Sequence, residues 1–180
     1  NLEQAVLKES IRSRDAGQAA TSLLLIEAAQ AEGLNSPWLK DNQARALVNL
    51  ERLPEAVELW RELEALSDQE ALSGMAREML EKYAAEGDRL ATTQKAEVLA
   101  SQGQIEQAKT LLVRAMLADP NWDGYTTSLK QVLKMERGGN SETDLLEQEL
   151  EDDRLNLQAF DLYLDLVEQR LKDAAASSSN

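Results

Sequence analysis

Between Thr92 and Pro120 the chain carries two amphipathic segments joined at Gln102-Gly103-Gln104, and this stretch narrows the folds open to it. Ile105, Ala108, Leu111, Leu112, Ala115 and Met116 recur at steps of three and four, which sets them along one stripe of a helix. Asp119-Pro120 ends that helix, because proline has no N–H to donate and disfavours helical geometry in the residue before it. The stretch is therefore a helix-turn-helix hairpin, with small residues where the two backbones approach. One hairpin cannot hide its apolar stripe alone, so a neighbour of the same kind has to cover it.

The rest of the sequence repeats this arrangement. Leu2 to about Ser13 reads as a first helix with Leu2, Val6, Leu7 and Ile11 as apolar positions. Asp15-Ala16-Gly17 turns the chain into a second helix, Gln18 to Glu32, expected to hold Ala20, Leu23, Leu24 and Ala28 inward. Gly33 suits the left-handed residue after a helix end, and Ser36-Pro37 gives a capping hydroxyl followed by a first-turn proline. The third helix carries Leu39, Ala46, Leu47 and Leu50. Pro54 opens a fourth with Ala56, Leu59, Trp60, Leu63 and Leu66.

A Ser67–Glu70 capping box predicts a fifth helix through Leu72 to Tyr83, and Gly87-Asp88 is expected to separate it from a sixth. The hairpin at Gly103 supplies the sixth and seventh. An eighth spans roughly Asp123 to Arg137, with Trp122 stapling it to the seventh, and a ninth starts at Ser141. Asn156 caps a tenth, where Leu157, Phe160, Leu164, Val167 and Leu171 form a narrow seam. Residues 1–173 form one helical domain in this reading, and the small polar residues 174–180 a flexible tail or linker.

Composition agrees with an all-α fold. Only 4% of the residues are aromatic, and Leu and Ala dominate the 43% that are hydrophobic, whereas sheets favour β-branched and aromatic residues. With 33 acidic against 19 basic residues the formal charge is −14. Phosphate backbones are bound through Lys and Arg, so nucleic acid is not an expected partner, and an anionic membrane surface would repel the chain. The densest apolar run, Leu23 to Ile26, is one helical turn, too short to enter a bilayer.

The chain has no cysteine and no histidine, which removes thiolate chemistry, the commonest general base and the commonest metal ligand. The acidic cluster Glu147, Glu149, Glu151, Asp152 and Asp153 reads as a solvated face, since neighbouring carboxylates on a helix point apart into water. Neither a calcium loop, a glycine-rich phosphate loop nor a nucleophile elbow is present. The expectation is a non-enzyme without metal or cofactor. A start at Asn1 rather than Met fits a mature product or a domain cut from a longer polypeptide, and the compartment stays open.

Residues at matched spacing then point to a family. In the hairpin at Gly103 they are Lys95-Ala96, Leu99, Ala108, Leu112 and Pro120. A second copy runs Lys40, Gln43-Ala44, Leu47, Ala56 and Trp60, and a third has Leu7-Lys8, Ile11, Ala20 and Leu24. The pattern resembles the tetratricopeptide repeat. What the resemblance implies is a right-handed α-superhelix of antiparallel hairpins, here about ten helices, whose first helices line a concave groove that holds a partner's segment. Ala44 and Ala96 are 52 positions apart rather than the family's roughly 34, so an insertion or a change of pairing is expected near residues 68–88.

By the same resemblance the function is a protein-binding adaptor, assembly factor or chaperone, with another protein or a peptide segment as partner. The candidate groove residues on the third helix are Trp38, Asp41, Arg45 and Val48, which share one helical face. Trp38 is either a packing staple or a ligand anchor. On the eighth helix Lys130, Lys134 and Arg137 form a basic stripe that either receives a carboxylate or complements the negative end of the helix. The alternatives are self-association as a homodimer through residues 157–171, or a regulatory part of a larger chain.

Overall fold

The computed structural model describes residues 1–66, 68–136 and 157–178. Among them are eight helices and no strand: α1 (Leu2–Asp15), α2 (Ala19–Ala31), α3 (Pro37–Asn49), α4 (Leu53–Glu64), α5 (Glu70–Ser101), α6 (Ile105–Ala118), α7 (Gly124–Met135) and α8 (Leu157–Ser178). Ser67, Arg137, the helix expected from Ser141, the acidic run Glu147–Asp153 and the Asn156 cap lie outside the described residues. No described helix is long and apolar enough to cross a membrane.

The connections follow turn chemistry. Gly17, Gly33 and Gly103 take φ of 79°, 88° and 80°, the left-handed conformation that glycine adopts without steric cost. Between α3 and α4 Glu51 takes φ 59° at the equivalent place, where a side chain carries strain. The Ser36 hydroxyl accepts the Trp38 N–H at 3.2 Å, so α3 starts on the expected cap with Pro37 at its first position. Arg52 precedes α4 and holds Glu55 in its first turn, donating Nη2 at 2.6 Å and Nε at 2.7 Å. That hydrogen bond keeps the Glu55 carboxyl below the ordinary carboxylate range.

The chain divides into two compact units, residues 1–90 and 91–180, with the boundary inside α5. In the first, hairpins α1/α2 and α3/α4 pack in sequence, and α3 touches both α1 and α2. Their core gathers Leu23, Ala44, Leu47, Ala56, Trp60 and Leu63, with Leu72 and Ala76 from the start of α5. In the second, Ala96 and Ala100 from the end of α5 meet Ala108, Leu112, Val113 and Met116 of α6 and Tyr125, Leu129 and Val132 of α7. Trp122 packs against this core and meets the Tyr125 ring edge-on at 4.6 Å, as a staple at the start of α7. Ala44, Ala56, Ala96 and Ala108 are all fully buried, as close helix approach requires.

Two expectations are corrected. The fifth and sixth helices are one, because Gly87 does not end a helix but lies buried within α5. A Cβ there would stand 2.6 Å from Val57 Cγ2, so the glycine admits α4 rather than turning the chain. Leu23 excepted, the first hairpin hides other residues than its spacing suggests. Ser10 and Ser13 are the buried positions of α1, and α2 turns Ala19, Ser22, Leu23, Ile26 and Ala29 inward, leaving Leu2 and Leu24 two-thirds exposed. The cause is that α2 is apolar around most of its circumference, so its spacing favours no face, while Asn42 draws Ser10 inside. The helix α8 runs on to Ser178, with the Ser177 hydroxyl bonded to Asp173 O at 2.8 Å.

Two glycines in one helix give opposed expectations. Gly74→Ala, with open space around its Cβ, should gain about 0.5–1 kcal/mol from helix propensity. Gly87→Ala should instead cost about 1–3 kcal/mol by forcing Val57 out of place. Urea denaturation of both variants checks this, and a stabilising Gly87→Ala would show that the contact with Val57 is not tight.

Candidate functional site

In the first unit the site grows from a buried polar layer. The Ser22 hydroxyl of α2 donates to Ser10 O of α1 at 2.7 Å, and Asn42 Nδ2 of α3 donates to Ser10 Oγ at 2.7 Å. The Arg14 guanidinium completes it, donating Nη1 to Asn42 Oδ1 while Nε and Nη2 hold Asp15 Oδ1. Arg14 is thereby fixed at the end of α1, beside α3. A polar residue can be buried only with partners, and these four residues supply them to one another.

Immediately before Asn42 on α3, Asp41 sits 7% exposed between two donors. Its Oδ1 accepts the Trp60 indole N–H at 3.0 Å, and its Oδ2 accepts Arg45 Nε at 2.8 Å. Trp60 is fully buried on α4 and stacks on Tyr83 of α5, centroids 5.6 Å apart and planes 12° from parallel. Lys82 Nζ lies 4.9 Å from the Tyr83 centroid. The layer closes the floor of a pocket of about 210 Å³, lined by Arg14, Arg45, Val48, Asn49, Trp60, Met79 and Tyr83. Its walls come from α1, α3 and α5, with the α4 tryptophan beneath.

Of the predicted groove residues, Arg45 and Val48 therefore meet in one pocket. Asp41 shares their helix face but turns inward and serves as an acceptor for Trp60 and Arg45 rather than as a surface group. Trp38 stands on the first turn of α3, 47% exposed, and is not among the pocket residues. Arg14, Asn49, Met79 and Tyr83 were not anticipated as site residues. The available signal was that Arg14 lies one turn from Ser10 on α1, and Met79 and Tyr83 one turn apart on α5.

The second unit holds Lys130, half-buried on α7, and Lys134, exposed in its last turn near the negative end of the helix. A different lysine is the notable one there. Lys109 of α6 is fully buried, its Nζ 2.8 Å from Glu106 Oε1 and 3.0 and 3.1 Å from the two oxygens of Glu136. Removing one partner of such a pair leaves an uncompensated buried charge, so the cluster ties the end of α7 to α6. A second pocket, about 360 Å³, lies beside Lys95 and Leu99 of α5, Gln107, Leu111 and Arg114 of α6, and Leu171 of α8. Leu164 packs against the core of this unit, and Arg114 Nη2 meets Glu168 Oε1 at 2.5 Å, joining α8 to α6.

Among the described residues no three carboxylates come together as a metal site. Comparison with protein-family models, curated proteins and solved structures gave no match.

The two bonds of Asp41 separate by substitution. Asp41→Asn keeps an oxygen for the Trp60 N–H and should cost under about 1 kcal/mol, whereas Asp41→Ala strands a buried donor and should cost about 1–3 kcal/mol. Chemical denaturation followed by tryptophan fluorescence measures the difference. Equal losses would mean that the indole bond is not what Asp41 contributes.

Proposed function

We propose that the chain is a non-catalytic binding protein of tetratricopeptide-like build, which holds a segment of another protein against the face formed by α1, α3 and the first half of α5. The observation that carries this reading is the pocket between those three helices, where two arginines, an asparagine amide, Val48 and Met79 converge over the stacked Trp60–Tyr83 pair. Polar groups that converge on one cleft fix the orientation of what binds there. The fully buried alanines at matched places in both hairpins support the family build. The formal charge of −14 favours partners that are neutral or basic over most of their length.

Self-association is the second reading, and Leu171, 54% exposed on α8, is the residue that favours it. Leu164 of the same helix is already engaged within its own unit, which leaves only part of the expected seam to offer.

A photoactivatable side chain placed at Asn49, and in a control at Glu27 on the exposed side of α2, distinguishes them. The expected result is a crosslink from Asn49 alone, to one contiguous segment of a different protein in native extract. Crosslinks from both positions alike, or from neither, would sink the groove reading. The same side chain placed at Leu171, if it crosslinked to a second copy of this chain, would favour the dimer.

A further inference from the structure

We infer that the pocket between α1, α3 and α5 takes the side-chain carboxylate of a single glutamate, carried by a partner segment that is otherwise neutral or basic. The inference rests on the groove reading above and adds what the groove selects. It starts from the guanidinium of Arg45. Asp41 engages its Nε, which leaves Nη1 and Nη2 without a bond to another described residue, and Arg45 lines the pocket. Two parallel N–H groups on one planar edge fit the two oxygens of a carboxylate. Arg45 is held in place for this, since its Nε is locked to a buried acid that is itself fixed by the Trp60 indole.

Charge decides how much anion the pocket takes. Asp41 offsets Arg45, and Asp15 offsets Arg14, so the site offers directed donors but little surplus positive charge. A doubly charged phosphate would bring two charges with no counterpart against a carboxylate's one, in a chain that already carries −14. A single carboxylate needs only the donors. The same net charge would repel a generally acidic segment and attract basic residues on either side of the glutamate. Size agrees, because about 210 Å³ leaves room for one side chain. Val48 and Met79 give the methylenes of a glutamate an apolar wall.

The test titrates the protein with nonapeptides of lysine and alanine, acetylated and amidated, bearing one central glutamate. Nuclear magnetic resonance reads the Trp60 indole N–H, which is bonded to Asp41, and the Arg45 Nε–H. The glutamate peptide should shift both signals saturably. A central glutamine should bind about tenfold or more weaker, as loss of a charge-assisted bond dictates. A central phosphoserine, or a glutamine peptide with a free terminal carboxylate, should also bind more weakly than glutamate. The preference should vanish in Asp41→Asn/Arg45→Met, which keeps the Trp60 acceptor without a lone buried charge. It should fall in Arg45→Lys, which keeps the cation and loses the fork.

Equal binding of the glutamate and glutamine peptides overturns the inference and leaves the groove standing. So does phosphoserine or a chain terminus that binds as well as glutamate, or a preference that survives in both variants. Absence of any shift also overturns it, while crosslinking from Asn49 judges the groove independently.

Discussion

The indole N–H of Trp60 is the constraint around which the first unit is organised. A tryptophan so completely enclosed must give its one hydrogen bond to something equally enclosed, and the acceptor is the carboxylate of Asp41. A buried carboxylate in turn needs a cation, which fixes Arg45 one helical turn away. Each step follows from the one before: a large ring fills the gap between α4 and α5, its polar edge recruits an acid from α3, and the acid recruits an arginine at the surface. The guanidinium of Arg45 is thus the last member of a chain of obligations that begins in the core.

Much of the fold could be read from the letters, for identifiable reasons. Gly17, Gly33 and Gly103 mark turns because a positive φ is where glycine has the advantage, and Pro37, Pro54 and Pro120 mark helix ends because they lack a donor. Gly87 misled because the same residue also serves where two helices crowd together, and the letter alone does not say which. Glu51 occupies a glycine-like turn without being glycine, so only Pro54 after it announced the next helix. The inward face of α2 was illegible because nearly every face is apolar. Helical spacing did place Asp41, Arg45 and Val48 together, but not the depth of each. It could not foresee Arg14, whose neighbours Ser10 and Asn42 are polar residues that composition assigns to the surface.

The two buried ion clusters show contrasting uses of the same chemistry. Lys109 is enclosed by Glu106 and Glu136, three oxygens converging on one ammonium, and the group is spent on joining α6 to the end of α7. Arg45 spends one nitrogen on Asp41 and also lines the pocket. An ammonium is a compact point that its partners can surround, whereas a guanidinium is a plate with separate edges. That difference lets arginine belong to the interior and the surface at once.

The helix α5 gives Leu72 and Ala76 to one core and Ala96 and Ala100 to the other. Genetic shuffling that exchanged either unit would therefore meet an awkward choice of breakpoint. Breaking inside α5 exposes backbone donors and acceptors that no loop stands ready to satisfy. Breaking at either end of it carries the helix off whole and strips the half left behind of a wall. Descendants of this gene should accordingly inherit both halves together or duplicate them together, and vary at the short turns, where a crossover costs no core residue.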